Sequence, residues 1–349
     1  MDLKHAVLQT AKTSGLFAAV ARSNWRTRRL LILGYHGVSV KDEHEWNPSL
    51  YVTTDHLRSR LKLLDQLRCT ILSLTDALAR LKNGGLPPRA VVLTFDDGPA
   101  DFASRALPVL QDFGIPATLY LTTYYCRTRL PVFPPALAYI LWKGRGSGRG
   151  VTHPQAGTTL PVATQRQREA AFRSIHDFAV STHMDAASKD DLLRKVATQL
   201  GVDLDEMRRC QLLHLLTPAQ VHDLPSTLVD VQLHTHRHRT PRDKASFVRE
   251  LADNSAAIDS MRGWAATPRH FCYPRGDYAA SCLPWLREAG VSSAATCVPG
   301  LVSAASNALL LPRLMDSMGI SELTFEAWAS GFAGFIPRRR AYRLIEDRV

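Results

Sequence analysis

In "LTFDDGPADF" (93–102) two adjacent aspartates, Asp96 and Asp97, close an apolar run that ends at Phe95. Side-by-side carboxylates repel, and the apolar run sets part of that repulsion in a low-dielectric place, so a compensating charge is needed. A second cluster, "QLHTHRHRTP" (232–241), offers His234, His236 and His238. A first-row divalent ion accepts imidazole and carboxylate together, and two histidines with one aspartate leave positions open for water and substrate. Spacing leaves the second histidine undecided. His236 shares a face with His234 if the strand continues, His238 if the chain has turned into a helical loop. On this reading the aspartates divide the work: one binds the cation, which lowers the pKa of water, and the other stays free as a general base.

The elements that must carry these residues alternate. "LLILGYHGV" (30–38), "CTILSL" (69–74), "AVVLTFDD" (90–97) and "ATLYLTT" (117–123) read as apolar strands, separated by helix patterns such as "TDHLRSRLKLLDQL" (54–67). The rhythm pauses over 127–226, where helical patterns follow a "KGRGSGRG" loop (143–150), then resumes with strands at "LVDVQLHTH", "HFCYP", "VSSAATC" and "ALLLPRLM". Such alternation predicts a parallel sheet or barrel sheathed in helices. A crossover needs far fewer than a hundred residues, so 127–226 reads as an inserted helical subdomain, a lid over the site. The remaining parts are an N-terminal amphipathic helix (1–29), two barrel segments (30–126 and 227–320), and a C-terminal helix with a basic tail (321–349). In parallel α/β folds, sites lie at the C-terminal ends of strands. Asp96–Asp97, Tyr35–His36, the histidine cluster and Tyr273–Pro274–Arg275 all occupy such ends, so four polar clusters converge on one rim.

"LTFDDGP" (93–99) and "HTHRH" (234–238) resemble the first and second motifs of the polysaccharide deacetylases, carbohydrate esterase family four or the NodB-homology family. "YHGVS", "GIPATLYL" and "FCYPRGDY" agree with it, and the resemblance covers roughly 29–126 and 228–315. It implies an α/β fold, a distorted and incomplete (β/α) barrel, here carrying the inserted helical subdomain. It implies metal-dependent removal of N-acetyl groups from an N-acetylhexosamine-containing polysaccharide, oligosaccharide or lipid-linked glycan, as in exopolysaccharide biosynthesis. It assigns Asp96 as catalytic base and Asp97, His234 and His238 as ligands of a divalent ion, Zn2+ first, with Co2+, Mn2+ or Ni2+ as alternatives. His236 becomes a loop neighbour, and Tyr273, Pro274 and Arg275 fall on the substrate and oxyanion side, with the Arg275 backbone N–H as donor.

Two motifs depart from the family pattern. Cys272 stands where an arginine usually orients the base, and the last strand, "LLLPRLMDS", lacks the Leu-x-His of the general acid. Arg313 is the candidate to orient the base from another strand, and His36 the candidate acid. The altered motifs also admit an alternative, a catalytically weakened metal-containing glycan-binding protein of the same fold.

The chain of 349 residues carries a net charge of +11, which suggests anionic partners. Much of the excess is in "RSNWRTRR" (22–29) and "RRRAYR" (338–343). Phe325, Trp328, Phe332 and Phe335 fall near one helical face beside three arginines, a composition that suits peripheral contact with an anionic membrane. No RNP-like motif, zinc-finger spacing or basic heptad helix points to nucleic acid. The six cysteines are scattered and form no dense framework, which favours a reducing compartment. With no apolar run of 18 residues, the expectation is a cytoplasmic protein, peripheral at most at the inner face of the membrane. Oligomeric state is not legible.

Overall fold

Strands buried on both faces must be apolar along their whole length, and "LILGY", "AVVLTF" and "ATLYL" are completely buried. The computed structural model describes residues 3–262 and 269–336. Its eight-stranded sheet consists of β1 (Leu31–Tyr35), β2 (Thr70–Ile71), β3 (Ala90–Phe95), β4 (Ala117–Leu121), β5 (Val229–Leu233), β6 (His270–Cys272), β7 (Ser293–Ala295) and β8 (Leu314–Met315). The order is β7-β6-β5-β4-β3-β1-β8, with β2 beside β3, and every pairing in it is parallel. A parallel bridge between Ala295 and Leu311 brings the chain ahead of β8 against β7, which curls the sheet into the incomplete barrel expected. Register fixes the rim: Tyr35 pairs with Phe95, Leu93 with Ala117, and Ala117 with Val229. Residues just past these ends (His36, Asp96, Thr122, His234) therefore emerge on one side.

The insertion has a core of its own, built by Phe133, Leu137, Ile140, Ile175, Leu193 and Val196 among others. Its helices are Phe133–Lys143, Gln165–Ser181, Ala186–Leu200 and Leu204–Arg209, with a small hairpin at Gly150–Thr152 and Thr159–Pro161. The separate core runs from Phe133 to Leu213, and the Val132 N–H donates to the Leu213 carbonyl at 2.8 Å to close its neck. Leu216, Val221 and Leu224 already belong to the barrel core, so the subdomain is shorter at its C-terminal end than 127–226. The helix Phe133–Lys143 is buried nearly all round and lacks the one-sided apolar pattern that marks a surface helix.

The N-terminal segment is three short helices, Leu3–Thr13, Leu16–Arg22 and Asn24–Thr27, in place of the single amphipathic helix predicted. Phe17 packs on Phe332 and Trp25 on Phe335. Buried Arg26 donates to the carbonyls of Ala329, Arg29 and Ala90. The C-terminal aromatic face is thereby corrected: Phe325 and Trp328 are buried in the barrel core, where a helix docked on its own protein must put its apolar side, and Phe335 is left largely exposed. Among the described residues, no helix is long and apolar enough to cross a membrane. The basic run 338–343 lies outside the described residues.

A buried carboxyl follows the doubled aspartate. Burial pushes Asp101 up to about 8, against the Val38 N–H that donates to it at 2.8 Å. Folded chains keep this proton to about pH 8, whereas unfolded chains release it near pH 4. The folded state thus binds more protons across that window, and this group's contribution to stability falls as pH rises through it, by at most about 1.4 kcal/mol per unit. Thermal denaturation of Asp101→Asn between pH 5 and 9 should show a flatter decline than wild type. An identical decline would contradict the assignment.

Candidate active site and metal centre

Asp96 leaves β3 with its N–H donated to the Tyr35 carbonyl at 2.9 Å, and its carboxylate is buried. Arg313, fully buried, grips it with both ends of the guanidinium fork: Nη1 to Oδ1 and Nη2 to Oδ2, each at 2.8 Å. The same guanidinium donates to Thr94 Oγ1 at 3.0 Å, to the Thr296 carbonyl at 2.9 Å and to Cys272 Sγ at 3.0 Å. Burial alone would raise Asp96, but the Arg313 charge and its hydrogen bonds hold it below the ordinary aspartate value. Asp96 is therefore an ionised carboxylate at neutral pH in a fixed orientation. His36 Nε2 approaches Asp96 Oδ2 at 3.9 Å from the end of β1.

The next residue turns away. Asp97 has φ 69 and Gly98 φ 78, so the backbone passes through the left-handed region and swings the second carboxylate off the first. A Cβ at Gly98 would sit 2.2 Å from Leu121 Cδ1, so φ favours glycine there and a side chain would have to displace Leu121. Asp97 Oδ1 meets His234 Nε2 at 3.0 Å and His238 Nε2 at 3.1 Å. Thr235 (φ 60) and His238 (φ 54) are also left-handed, which is how the chain brings the histidines at i and i+4 together after β5. His236 points elsewhere, its Nδ1 within 2.8 Å of Thr123 Oγ1. In geometry the two histidines left open by spacing differ: His236 stands apart from Asp97, and His238 lies beside it.

These three donors suit a divalent ion. The Asp97 oxygen lies 3.0 and 3.1 Å from the two imidazole nitrogens, close to the roughly 3.3–3.4 Å edge of a tetrahedron whose donors lie about 2.0–2.1 Å from zinc. His234 Nδ1 donates to the Cys272 carbonyl at 2.8 Å, fixing the tautomer that presents an Nε2 lone pair to the site. Burial would raise Asp97, but His238 and His234 hold it well below the usual carboxylate range; burial would lower His238, but Asp97 raises it overall. A second trio, Asp96, His234 and Cys272, also has donor atoms close together. It suits a cation poorly, because both Asp96 oxygens are held by Arg313 and burial keeps the Cys272 thiol protonated.

Of the motif-three residues, Arg275 lines the cleft, with φ 60 on a short turn. Tyr273 and Pro274 do not. Tyr273 is fully buried, its ring against Phe271 and Tyr278 and its hydroxyl donating to the Leu309 carbonyl at 3.0 Å. Successive side chains at a strand end face opposite ways, so Cys272 faces Asp96 and Tyr273 faces away; a direct side-chain role toward substrate is corrected accordingly.

Support for the site comes from residues that no motif marks. Asn254 accepts the His234 N–H at 2.9 Å and donates to the Leu121 carbonyl at 2.9 Å, while Glu250, one turn earlier, accepts from Arg237 and Arg239. Asp316, just past β8, is tied to Arg60 at 3.0 Å, Tyr35 at 3.1 Å and His56 at 3.3 Å. For Glu250 and Asn254 the signal was a polar residue on the buried face of the helix Lys244–Arg262, which sequence periodicity alone does not separate from surface.

The cleft above Asp97 and His238 has a volume of about 290 Å3 and is walled by Trp46, Tyr51, Pro135, His214, Leu215 and Arg275. The insertion thus forms part of the wall, and its exit strand is pinned to the doubled-aspartate loop: Leu216 N–H donates to the Gly98 carbonyl and Ala100 N–H to that of His214, both at 2.9 Å.

The family model described as "Polysaccharide deacetylase" matches residues 83–294. Poly-beta-1,6-N-acetyl-D-glucosamine N-deacetylase of Escherichia coli (strain K12) is 32% identical over 99 residues, 28% of this chain and 14% of that protein. The chain thus matches about a seventh of the length of that curated relative. Among solved structures, Streptococcus pyogenes deacetylase PplD in complex with acetate aligns with a TM-score of 0.55 and 18% identity, over 88% of this chain and 99% of that one. IcaB from Ammonifex degensii aligns with a TM-score of 0.53 and 18% identity, over 86% of this chain and 97% of that one; these two likenesses concern the fold. With a family model covering more than half of the chain, including the loops that bear Asp96, Asp97, His234 and His238, the chain belongs to the polysaccharide deacetylase family.

Proposed function

We propose that the protein hydrolyses N-acetyl groups on an N-acetylhexosamine-containing glycan, with a divalent ion of the zinc type held by Asp97, His234 and His238. The observation that carries this reading is the separation of the two aspartates: Asp97 meets two imidazoles, while Asp96 is clamped by Arg313. The glucosamine polymer in the name of the Escherichia coli relative supports the choice of sugar. When bound, the ion supplies Lewis acidity for a carbonyl oxygen and lowers the pKa of water at its open positions.

The chain's own groups do the rest. Asp96, kept ionised and oriented by Arg313, takes the proton from the attacking water. Arg275 presents its backbone at the rim where the acetamide oxygen gains charge. His36, 3.9 Å from Asp96, delivers a proton to the departing amine nitrogen as the C–N bond breaks, leaving acetate and an amino sugar. Acetate release from N-acetylglucosamine oligomers, before and after chelation and after zinc is restored, tests the reading. Loss on chelation with recovery on zinc addition is expected; acetate release that survives complete metal removal would contradict the assigned chemistry.

A further inference from the structure

Trp46 forms a wall of two cavities. One is the catalytic cleft; the other, of about 460 Å3, lies between the insertion helices Phe133–Lys143 and Gln165–Ser181. These helices pack on each other through a shared core of Leu137, Ile140, Ala171 and Ile175, and the outer side of their seam is left as a half-open groove of ligand size. Its lining combines Trp46, Trp142 and Phe172 with Arg168, Glu169 and Arg173. The aromatic groups are braced: Trp46 stands edge-on to Tyr139 at 5.5 Å, and Trp142 is 5.8 Å from Tyr139 and covered on a face by Arg145 at 3.8 Å. Two polar groups are likewise fixed, Arg168 by the Val162 and Ala163 carbonyls and Glu169 by Gln165. Arg173 has no partner among the described residues.

We propose that this cavity is a second sugar subsite, which holds a pyranose ring of the same glycan remote from the acetamide being cleaved. Rigid aromatic surfaces take the C–H face of a pyranose at little entropic cost, and the charged rim takes its hydroxyl and amide groups. Because Trp46 borders both, a chain leaving the catalytic cleft along it would reach this groove. The consequence is a preference for longer chains. This inference rests on the deacetylase reading.

The test uses the full, zinc-loaded chain and β-1,6-linked N-acetylglucosamine oligomers of two to six residues. In the wild type, kcat/KM for acetate release should rise with length. Trp142→Ala and Ala138→Trp, which fills the cavity, should each cut the ratio of hexamer to dimer kcat/KM about tenfold, mainly through KM; Arg173→Ala, at an exposed position, should cut it about threefold. A ratio equal to wild type in Ala138→Trp and Arg173→Ala overturns the subsite. Should no oligomer yield acetate, the deacetylase reading falls by itself. Calorimetric titration of the hexamer then decides the subsite independently: weaker binding in the three variants supports it, and an unchanged Kd overturns it.

Discussion

Asp96→Asn should lower acetate release roughly a thousandfold, the scale of a lost general base, while the metal content stays at the wild-type level. The amide preserves shape, and its single oxygen still accepts from one Nη of Arg313 while its NH2 faces the other, but it cannot take a proton from water. The metal is held by the neighbouring carboxylate, whose backbone has already turned through φ 69, so the substitution leaves its donors in place. Steady-state kinetics beside elemental analysis of the same preparation reads both halves. A variant within tenfold of wild type would remove Asp96 from the chemistry, and simultaneous metal loss would mean that the aspartates are not divided as described.

Arg313→Met should destabilise the fold by about 3–5 kcal/mol, the usual cost of leaving a buried charge without its partner. Arg313 and Asp96 are both buried, and the guanidinium also satisfies Thr94 and the Thr296 carbonyl. The variant should also change the pH profile. Burial raises Asp96 and Arg313 lowers it, so without the arginine the burial effect prevails and Asp96 titrates higher. The acidic limb of kcat/KM should therefore move to higher pH, and activity at low pH should fall more than activity at high pH. Denaturant melts and pH–rate profiles together separate this positioning role from a merely structural one: lost stability with an unmoved acidic limb would leave Arg313 only structural.

The doubled aspartate and the histidine cluster were legible because each motif is local: a strand end supplies Asp96 and Asp97 within two residues, and a turn supplies His234 and His238 within five. The barrel was legible for a related reason, since strands such as "AVVLTF" are apolar throughout. Spacing could not choose between His236 and His238, because the choice depends on left-handed φ values at Thr235 and His238. Tyr273 was misjudged from its neighbours, since adjacent residues on a strand end face opposite sides and Cys272 took the inner one. Asn254 and Asp316 were missed because their partners are distant in the chain; Asp316 and Arg60 are 256 positions apart. The insertion helix Phe133–Lys143 escaped notice because burial on most sides erases the amphipathic period.

Zinc content per chain in a matched pair of variants, His236→Ala and His238→Ala, tests the centre most directly. After equilibration with zinc and removal of the free ion, His236→Ala should retain close to the wild-type content. His238→Ala, left with two protein donors, should lose most of it. The opposite pattern, or full zinc in His238→Ala, would contradict the ligand set on which the account rests.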